Sequence, residues 1–458
     1  MKNFSQYLSV FVSVLCLSAH AAERPDMVVF ITDDQSQVDA SLYGNAQVRT
    51  PNLERLANEG MTFSHAFVAS PACAPSRAAL LTGLMPARNG AEANHMDPRP
   101  DIKKLPAYFH ELGYEVVAFG KVAHGDAGVY GFDQAASEGW IWKGGIAYAV
   151  EYLQGRKSDK PLLMFVGTFE PHQPWPKING YNPDELTLPD FHVDTQETRA
   201  ARAQYYTAIT EADRKLAVIH ELARQKLNNP LFIFTSDHGG QWPFGKWNLY
   251  DYGIRVPFVA SWPGMIEPGS QSEAMISWVD LLPTLLEVAG GETPDNIDGR
   301  SFASVLKNPQ LAHRQRIFSS HSGDGGLKVN AYPIRSVRDR DWKYILNLYP
   351  ELEHHTHVDR EPNGGAGYWD SWDAAANTDA NAATLMQRYH HRAAEELYDL
   401  QNDPQEQHNL ASDPVHAYRL LAMRAELEIW MTEQGDQRKL YEDPEGPWYV
   451  KLLVRLLF

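Results

Sequence analysis

With 458 residues, 43% of them hydrophobic, the chain is long enough for one large domain plus a smaller one, and large-scale disorder is excluded. A formal net charge of −17 argues against nucleic acid and against general adhesion to polyanions. An anionic substrate would have to be caught in a local basic pocket.

Residues 1–22 read as an export signal, with Lys2 in a basic n-region, a short apolar stretch over residues 7–17, and Ala19 and Ala21 at an A-x-A-like cleavage site. The apolar stretch is shorter than the roughly 20 residues a membrane-spanning helix needs. Lipid attachment at Cys16 is the rival reading. The mature protein is therefore expected in the periplasm or secreted. No other segment is apolar enough for stable membrane insertion, and the tail YVKLLVRLLF at 449–458 reads as a docked terminal segment. Once Cys16 leaves with the signal, Cys73 is the one cysteine left, so no internal disulfide can form and stability rests on core packing.

Four apolar runs follow: MVVFIT (Met27–Thr32), YEVVAF (114–119), LLMFVGTF (162–169) and LFIFT (231–235). Continuous β-branched and aromatic runs without alternation are the pattern of strands buried on both faces of a parallel sheet. Helical stretches at 50–59 and 198–227 lie between them, so the order reads as repeated βαβ. The first run ends in Asp33 and Asp34. The second ends in Gly120 and Lys121, with His124 close behind. The third ends in Glu170, Pro171 and His172, and the fourth leads into Asp237, His238 and Gly239. Open α/β sheets bind ligands beyond the carboxyl ends of their strands, and ordinary solvated ends are not expected to carry ionisable groups four times over.

Between the first two runs lies SPACAPSRAALLTG (70–83). Proline is favoured in the first turn of a helix, so Pro75 predicts a helix over 76–84 whose N-terminal N–H groups favour an anion beside Cys73. The bland alternative for Cys73 is a small buried side chain. Asp33, Asp34 and Asp237 offer hard carboxylate oxygens of the kind that suit Ca²⁺ or Mg²⁺.

Beyond residue 309 the pattern changes. YPIRSVRDRDWKYILNL (332–348) predicts antiparallel strands around a turn at 339–341. Residues 351–392, rich in His, Asn, Asp, Gly and Ala, read as an irregular excursion with one short helix. Its pairs His354 with His355 and His390 with His391 read as solvated rather than as metal ligands. EELYDLQNDPQEQHNLASDP (395–414) predicts a strand, a turn and a helix start, with a helix over 415–433. The expected fold is α/β: a large mixed, mainly parallel sheet flanked by helices, in a catalytic domain at 23–311, with a smaller α+β domain containing an antiparallel sheet at 312–458.

Taken in order, DDQ after the first strand, PNLERLANEG, CAPSRAALLTG, GKVAHG, EPHQPW, TSDHGG, GKWNLYDYGIRVPF and ELYDL followed by DP and NLA resemble the formylglycine-dependent sulfatases over nearly the whole mature length. YPIRSVR and EELYDL are most similar to the heparan N-sulfatase branch, whereas KVAH and CAPSR lean toward the iduronate sulfatase branch. The resemblance implies an alkaline phosphatase-like fold and hydrolysis of sulfate esters on a sulfated carbohydrate, such as the algal polysaccharide ulvan or a glycosaminoglycan. It also implies a maturing partner, a formylglycine-generating or anaerobic sulfatase-maturing enzyme, that oxidises Cys73 to formylglycine (3-oxoalanine).

By the same resemblance a Ca²⁺ ion is held by Asp33, Asp34, Asp237, His238 and an oxygen of the modified residue 73. His238 stands where asparagine is most common, and its ring nitrogen leaves Mn²⁺ open, with Mg²⁺ a further alternative. Cys73 supplies the nucleophile, Arg77 and Lys121 stabilise its ionised diol, and His124 accepts a proton. Its spacing is three residues after Lys121, where many relatives have two. His172 and Lys246 are implied to hold sulfate oxygens and assist the leaving group, and Arg255 reads as structural. Trp175, Trp242, Trp247, His321, Arg335, Trp369 and Trp372 are candidates for a sugar pocket, since aromatic faces and cations suit an anionic saccharide. Three other readings stand beside this one: an N-sulfoglucosamine sulfohydrolase, a phosphonate or phosphate diester hydrolase of the same superfamily, and an inactive glycan-binding relative.

Overall fold

Every residue of MVVFIT is buried, because both faces of this strand meet apolar cores. The computed structural model describes residues 24–136, 144–324, 330–360 and 367–441; the expected export signal with Cys16, and the tail at 449–458, lie outside the described residues. The large sheet contains β1 (Met27–Thr32), β2 (Met61–Phe67), β3 (Glu115–Gly120), β4 (Gln134–Ala136), β5 (Leu162–Gly167), β6 (Leu231–Ser236), β7 (Phe258–Ser261) and β8 (Ser270–Ser277), in the order β4-β3-β5-β1-β6-β7-β2-β8. The four runs read from the sequence become β1, β3, β5 and β6, contiguous and all parallel. Only β7 runs against its neighbours β6 and β2, which makes the sheet mixed and mainly parallel, as expected.

Successive residues of these strands face different cores. Val29, Ile31, Val116, Leu163, Phe165 and Ile233 share one core with the helices Cys73–Thr82, Leu105–Glu111 and Leu281–Val288. Val28, Phe30, Val117, Met164, Phe232 and Phe234 share the other with Pro51–Asn58, Gly145–Gly155 and the long helix Gln196–Lys226. Residue order alone thus produces a three-layer arrangement whose strand ends converge on one edge.

A second, antiparallel sheet is formed by β9 (Ile317–His321), β10 (Ile334–Arg338), β11 (Trp342–Asn347) and β12 (Glu395–Asp399), in the order β12-β11-β10-β9. The β10–β11 hairpin falls where the alternation placed it. Val337, Tyr344 and Leu397 pack under the helix Ala417–Gln434, together with Ala69 and Ala79 from the large domain. Among the described residues no helix is long and apolar enough to cross a membrane.

Two expectations are corrected. The helix predicted over 76–84 runs Cys73–Thr82, so Cys73 itself is its first residue. The amide of Ser76 already reaches the carbonyl of Ala72 at 3.0 Å, which starts the helix ahead of Pro75. Among the described residues of the stretch 351–392 there are three helices, His357–Arg360, Trp369–Ala376 and Ala380–His390, where one was expected. Trp369 with Trp372, and Ala382 with Met386 and Tyr389, are the i, i+3 and i, i+4, i+7 spacings of a buried helix face. Polar composition masked that pattern.

Candidate active site

Each of the four parallel strands delivers an ionisable group to the same edge. β1 ends at Asp33 and Asp34, and the Asp34 backbone turns into the left-handed region, φ 67°, strain that non-glycine residues keep mainly at functional sites. The Asp34 amide donates to Asp237 Oδ1 at 3.0 Å, and the Asp237 amide to the Thr32 carbonyl at 3.1 Å, so the end of β1 fixes the Asp237 carboxylate and the two strand ends are tied together. β3 and β5 approach so closely at their ends that a Cβ on Gly167 would lie 1.9 Å from the Lys121 carbonyl oxygen, and one on Gly120 2.0 Å from that of Gly167. Only glycine fits at these two positions, and the pair sets where Lys121 leaves the strand.

The helix Cys73–Thr82 enters this edge from the opposite core with Cys73 at its N-terminus, and the Ala74 amide donates to Asn94 Oδ1 at 3.0 Å. Cys73 Sγ lies 3.2 Å from His238 Nε2, 3.6 Å from Lys121 Nζ and 3.7 Å from Asp33 Oδ1. Asp33, Asp34, Cys73, Asp237 and His238 each present one ligand-type atom, all within 4.8 Å of one another, and all five residues are buried. Fixed cations ring this floor. Arg77 donates from Nε to Asp237 Oδ2 at 2.9 Å and reaches Asp33 at 3.4 Å. Lys121 is hydrogen-bonded to Asp33 Oδ2, and Lys246 Nζ contacts both Asp34 oxygens at 2.9 Å. His172 Nε2 stands 4.0 Å from Asp34. Cys73 acts electrostatically on the buried His124 ring despite its three-residue spacing from Lys121.

Charge decides the protonation states here. Burial opposes ionisation of Cys73, but Lys121, Lys246 and His238 outweigh it and hold the thiol well below its ordinary range. Burial pulls against the charge on His238 too, yet Asp237, Cys73 and Asp34 raise it to about 9. Burial raises Asp34 and Asp237 against the opposing pull of Lys246 and Arg77. An imidazole that keeps its proton amid three carboxylates marks a place where the protein field asks for positive charge. Three hard carboxylates and one imidazole fit a divalent cation. His172 and His124 go the other way: burial depresses both, His124 to about 4, so each is neutral before substrate arrives.

All ten residues named from the sequence, Asp33, Asp34, Cys73, Arg77, Lys121, His124, His172, Asp237, His238 and Lys246, come together. His95 was missed. Its Nδ1 lies 2.8 Å from His124 Nε2, its Nε2 3.6 Å from the buried Asp324, and its backbone is left-handed, φ 63°. Nothing in the local run ANHMDP marks it, since the contact arises from a loop that only the fold brings to β3. Arg255 is structural, as expected, holding the Ser64 carbonyl at 3.0 Å.

The sugar-pocket candidates divide. Trp247, left-handed at φ 71°, sits beside Lys246 and stacks on His357, ring centroids 5.3 Å apart. Trp242 is core: Trp175, His192 and Tyr368 stack on it at 4.8–5.1 Å, and Arg202 covers it at 4.3 Å. Trp372 is likewise buried, with Nε1 donating to Thr198 Oγ1 at 2.8 Å, and Trp369 packs against it. His321 is buried, with Nε2 3.3 Å from the Asn330 carbonyl oxygen. Arg335 is taken up by Asp436, at 3.0 Å from NH2 to Oδ1, and by the His321 carbonyl at 2.7 Å. Removing one partner of a buried ion pair strands the other. Arg335→Ala is therefore expected to destabilise the protein by about 3–5 kcal/mol, read as a lower urea midpoint, with the burial of Asp436 as the cause.

Acids alone would bind a cation and repel an anionic ester, and cations alone would do the reverse. Both sets packed about one sulfur suit a hydrolase that takes a divalent cation and an anionic ester side by side. The sulfatase family model matches residues 25–142 and 145–291, and a model for the C-terminal part of N-sulphoglucosamine sulphohydrolase matches residues 238–364. The chain is 34% identical over 436 residues to an ulvan-active sulfatase of Formosa agariphila, covering 93% of this chain and 83% of that protein. It is 29% identical over 465 residues to the N-sulphoglucosamine sulphohydrolase of Homo sapiens, covering 90% and 91%. A solved structure in complex with D-glucosamine-2-N,6-O-disulfate shares the fold, with a TM-score of 0.68, 19% identity, and coverage of 92% of this chain and all of that one. The chain belongs to the sulfatase family and is a sulfuric ester hydrolase.

Proposed function

We propose that this sulfatase removes sulfate from a sulfated polysaccharide or its oligosaccharides in the periplasm or outside the cell, with Cys73 oxidised to formylglycine by a maturing enzyme. The observation that carries this reading is the position of Cys73 Sγ, 3.2 Å from His238 and 3.7 Å from Asp33, at a helix N-terminus inside the ring of cations. A merely structural cysteine has no use for three buried cationic partners. The division at 311/312 belongs to the same reading, supported by the antiparallel sheet that begins at Ile317.

Asp33, Asp34, Asp237 and His238 would hold the divalent ion, with Ca²⁺ the expected occupant and Mn²⁺ or Mg²⁺ the alternatives. When bound, the ion and the hydrated aldehyde of residue 73 supply a polarised oxygen nucleophile and neutralise charge on the ester. The remaining work falls to side chains already in place. Arg77 fixes the Asp33 and Asp237 carboxylates and, with Lys121, places positive charge beside residue 73. His124, kept neutral by burial, would accept a proton from residue 73. His172 is kept neutral first by burial and then by Lys246 and Lys121; an arriving sulfate offsets those two charges and lets the ring take up a proton for the leaving oxygen. Lys246, aimed at Asp34, faces the same oxyanion position.

The match over 238–364 favours one second reading, hydrolysis of an N-sulfate on glucosamine. The test is sulfate release measured by ion chromatography on matured enzyme, with O-sulfated ulvan and glycosaminoglycan oligosaccharides, glucosamine N-sulfate and a phosphate diester side by side. Release from an O-sulfated oligosaccharide is expected. Release from the N-sulfate alone moves the assignment to the second reading. Faster turnover of the phosphate diester than of any sulfate, or glycan binding with no sulfate released, overturns the proposal.

A further inference from the structure

The polar stretch before the helix Ala380–His390 folds so that Glu353, His355 and His390 each bring one ligand-type atom within 4.8 Å of the others. None of these residues belongs to the active centre. His355 Nε2 stands 3.4 Å from Glu353 Oε2, and the two imidazole rings are 4.9 Å apart between centroids. Two ligand atoms each about 2.0–2.1 Å from a tetrahedral ion stand roughly 3.3–3.4 Å apart, so the His355–Glu353 spacing suits a shared ion. Both histidines are half-buried and Glu353 is exposed, which leaves room for water to complete a coordination shell.

The surroundings of His355 point the same way. Its Nδ1–H donates to Asp359 Oδ2 at 2.5 Å, which fixes the tautomer and leaves the Nε2 lone pair facing Glu353. A carboxylate behind a histidine in this manner is the usual support of a metal-binding imidazole. Asp359 is itself held by the Thr356 amide at 2.7 Å and by the Tyr389 hydroxyl at 2.9 Å, so the support is rigid. His390 Nδ1 lies 3.6 Å from Glu353 Oε1 and 3.0 Å from the His354 carbonyl oxygen, so an ion bound through this atom would replace the backbone contact.

We propose that Glu353, His355 and His390 bind a first-row transition ion, with Zn²⁺ as the expected occupant, and that this ion clamps the loop at 353–360 to the helix Ala380–His390. Two imidazoles and one carboxylate suit Zn²⁺ and its neighbours in the series rather than Ca²⁺ or Mg²⁺. The clamp has a consequence at the active centre. His357, two residues beyond His355, stacks on Trp247, the neighbour of Lys246, so the ion would fix one wall of the approach to the site.

The test uses the full-length protein, saturated with Ca²⁺, dialysed against Zn²⁺ and analysed for metal per chain. Wild type is expected to hold one more equivalent of Zn²⁺ than the double variant His355→Ala/His390→Ala, and Zn²⁺ is expected to raise the Tm of wild type alone. Glu353→Gln changes only an exposed side chain and is expected to weaken Zn²⁺ binding by at least about 10-fold without unfolding the protein. Equal Zn²⁺ in wild type and the double variant, no bound Zn²⁺ in wild type, or binding without a rise in Tm overturns the proposal. Zn²⁺ that is lost in Asp237→Asn but kept in the double variant belongs to the acid cluster of the active centre, and overturns it as well.

Discussion

Replacing Cys73 with alanine is expected to cut sulfate release by on the order of 10⁴-fold or more while the protein stays folded. The size follows from the role, since removing the atom that attacks leaves only binding and charge stabilisation to act on the ester. The fold should survive because Cys73 opens the helix Cys73–Thr82 through its backbone, and alanine is the best helix former. Circular dichroism and Tm close to wild type, beside a lost turnover, are the expected pair of results. Mass spectrometry of the wild-type peptide that contains residue 73 completes the experiment. It should show the aldehyde or its hydrate when a maturing enzyme is present. An unmodified thiol in fully active enzyme, or an active alanine variant, would remove formylglycine from the mechanism.

Lys246→Met is expected to damage both activity and stability, and for separable reasons. Lys246 lies buried with its ammonium 2.9 Å from both oxygens of Asp34, itself fully buried. Burial works against the charge on Lys246, and Asp34 more than restores it, so the ammonium is held charged above its ordinary range. Loss of that charge strands a carboxylate, at a cost of about 3–5 kcal/mol in the absence of divalent ion. Loss of a fixed charge facing a developing oxyanion costs roughly 10²–10³ in kcat. Ca²⁺ placed beside Asp34 should recover much of the Tm and little of the kcat. A variant with unchanged kcat/KM would show that Lys246 serves only to neutralise Asp34.

The large sheet was legible because strands buried on both faces must be apolar at every position, and the charged residue that ends each run is then next to it in the sequence. That is why Asp33, Asp34, Lys121, His172, Asp237 and His238 could be assigned to one edge before any coordinates. The helix start at Cys73 was less legible. Asn94, from a separate loop, accepts the Ala74 amide, and such a cap leaves no trace beside the helix it serves. The sugar-pocket candidates show the same limit. Trp242 and Trp372 have the aromatic faces of a saccharide platform, but other rings and Arg202 cover those faces, and Arg335 has the charge of an anion-binding residue, already matched by Asp436.

By itself the amino-acid order determined the layers of the fold and the chemical inventory of the active edge, since burial periodicity and strand termini are local properties of the chain. Tertiary structure decided which side chains share a partner. His95 with His124, Arg335 with Asp436, and Glu353 with His355 and His390 meet across loops, with sequence separations of 29, 101 and 37 between the more distant members. Contacts of that range depend on how separate elements dock, and short-range pattern carries no information about docking.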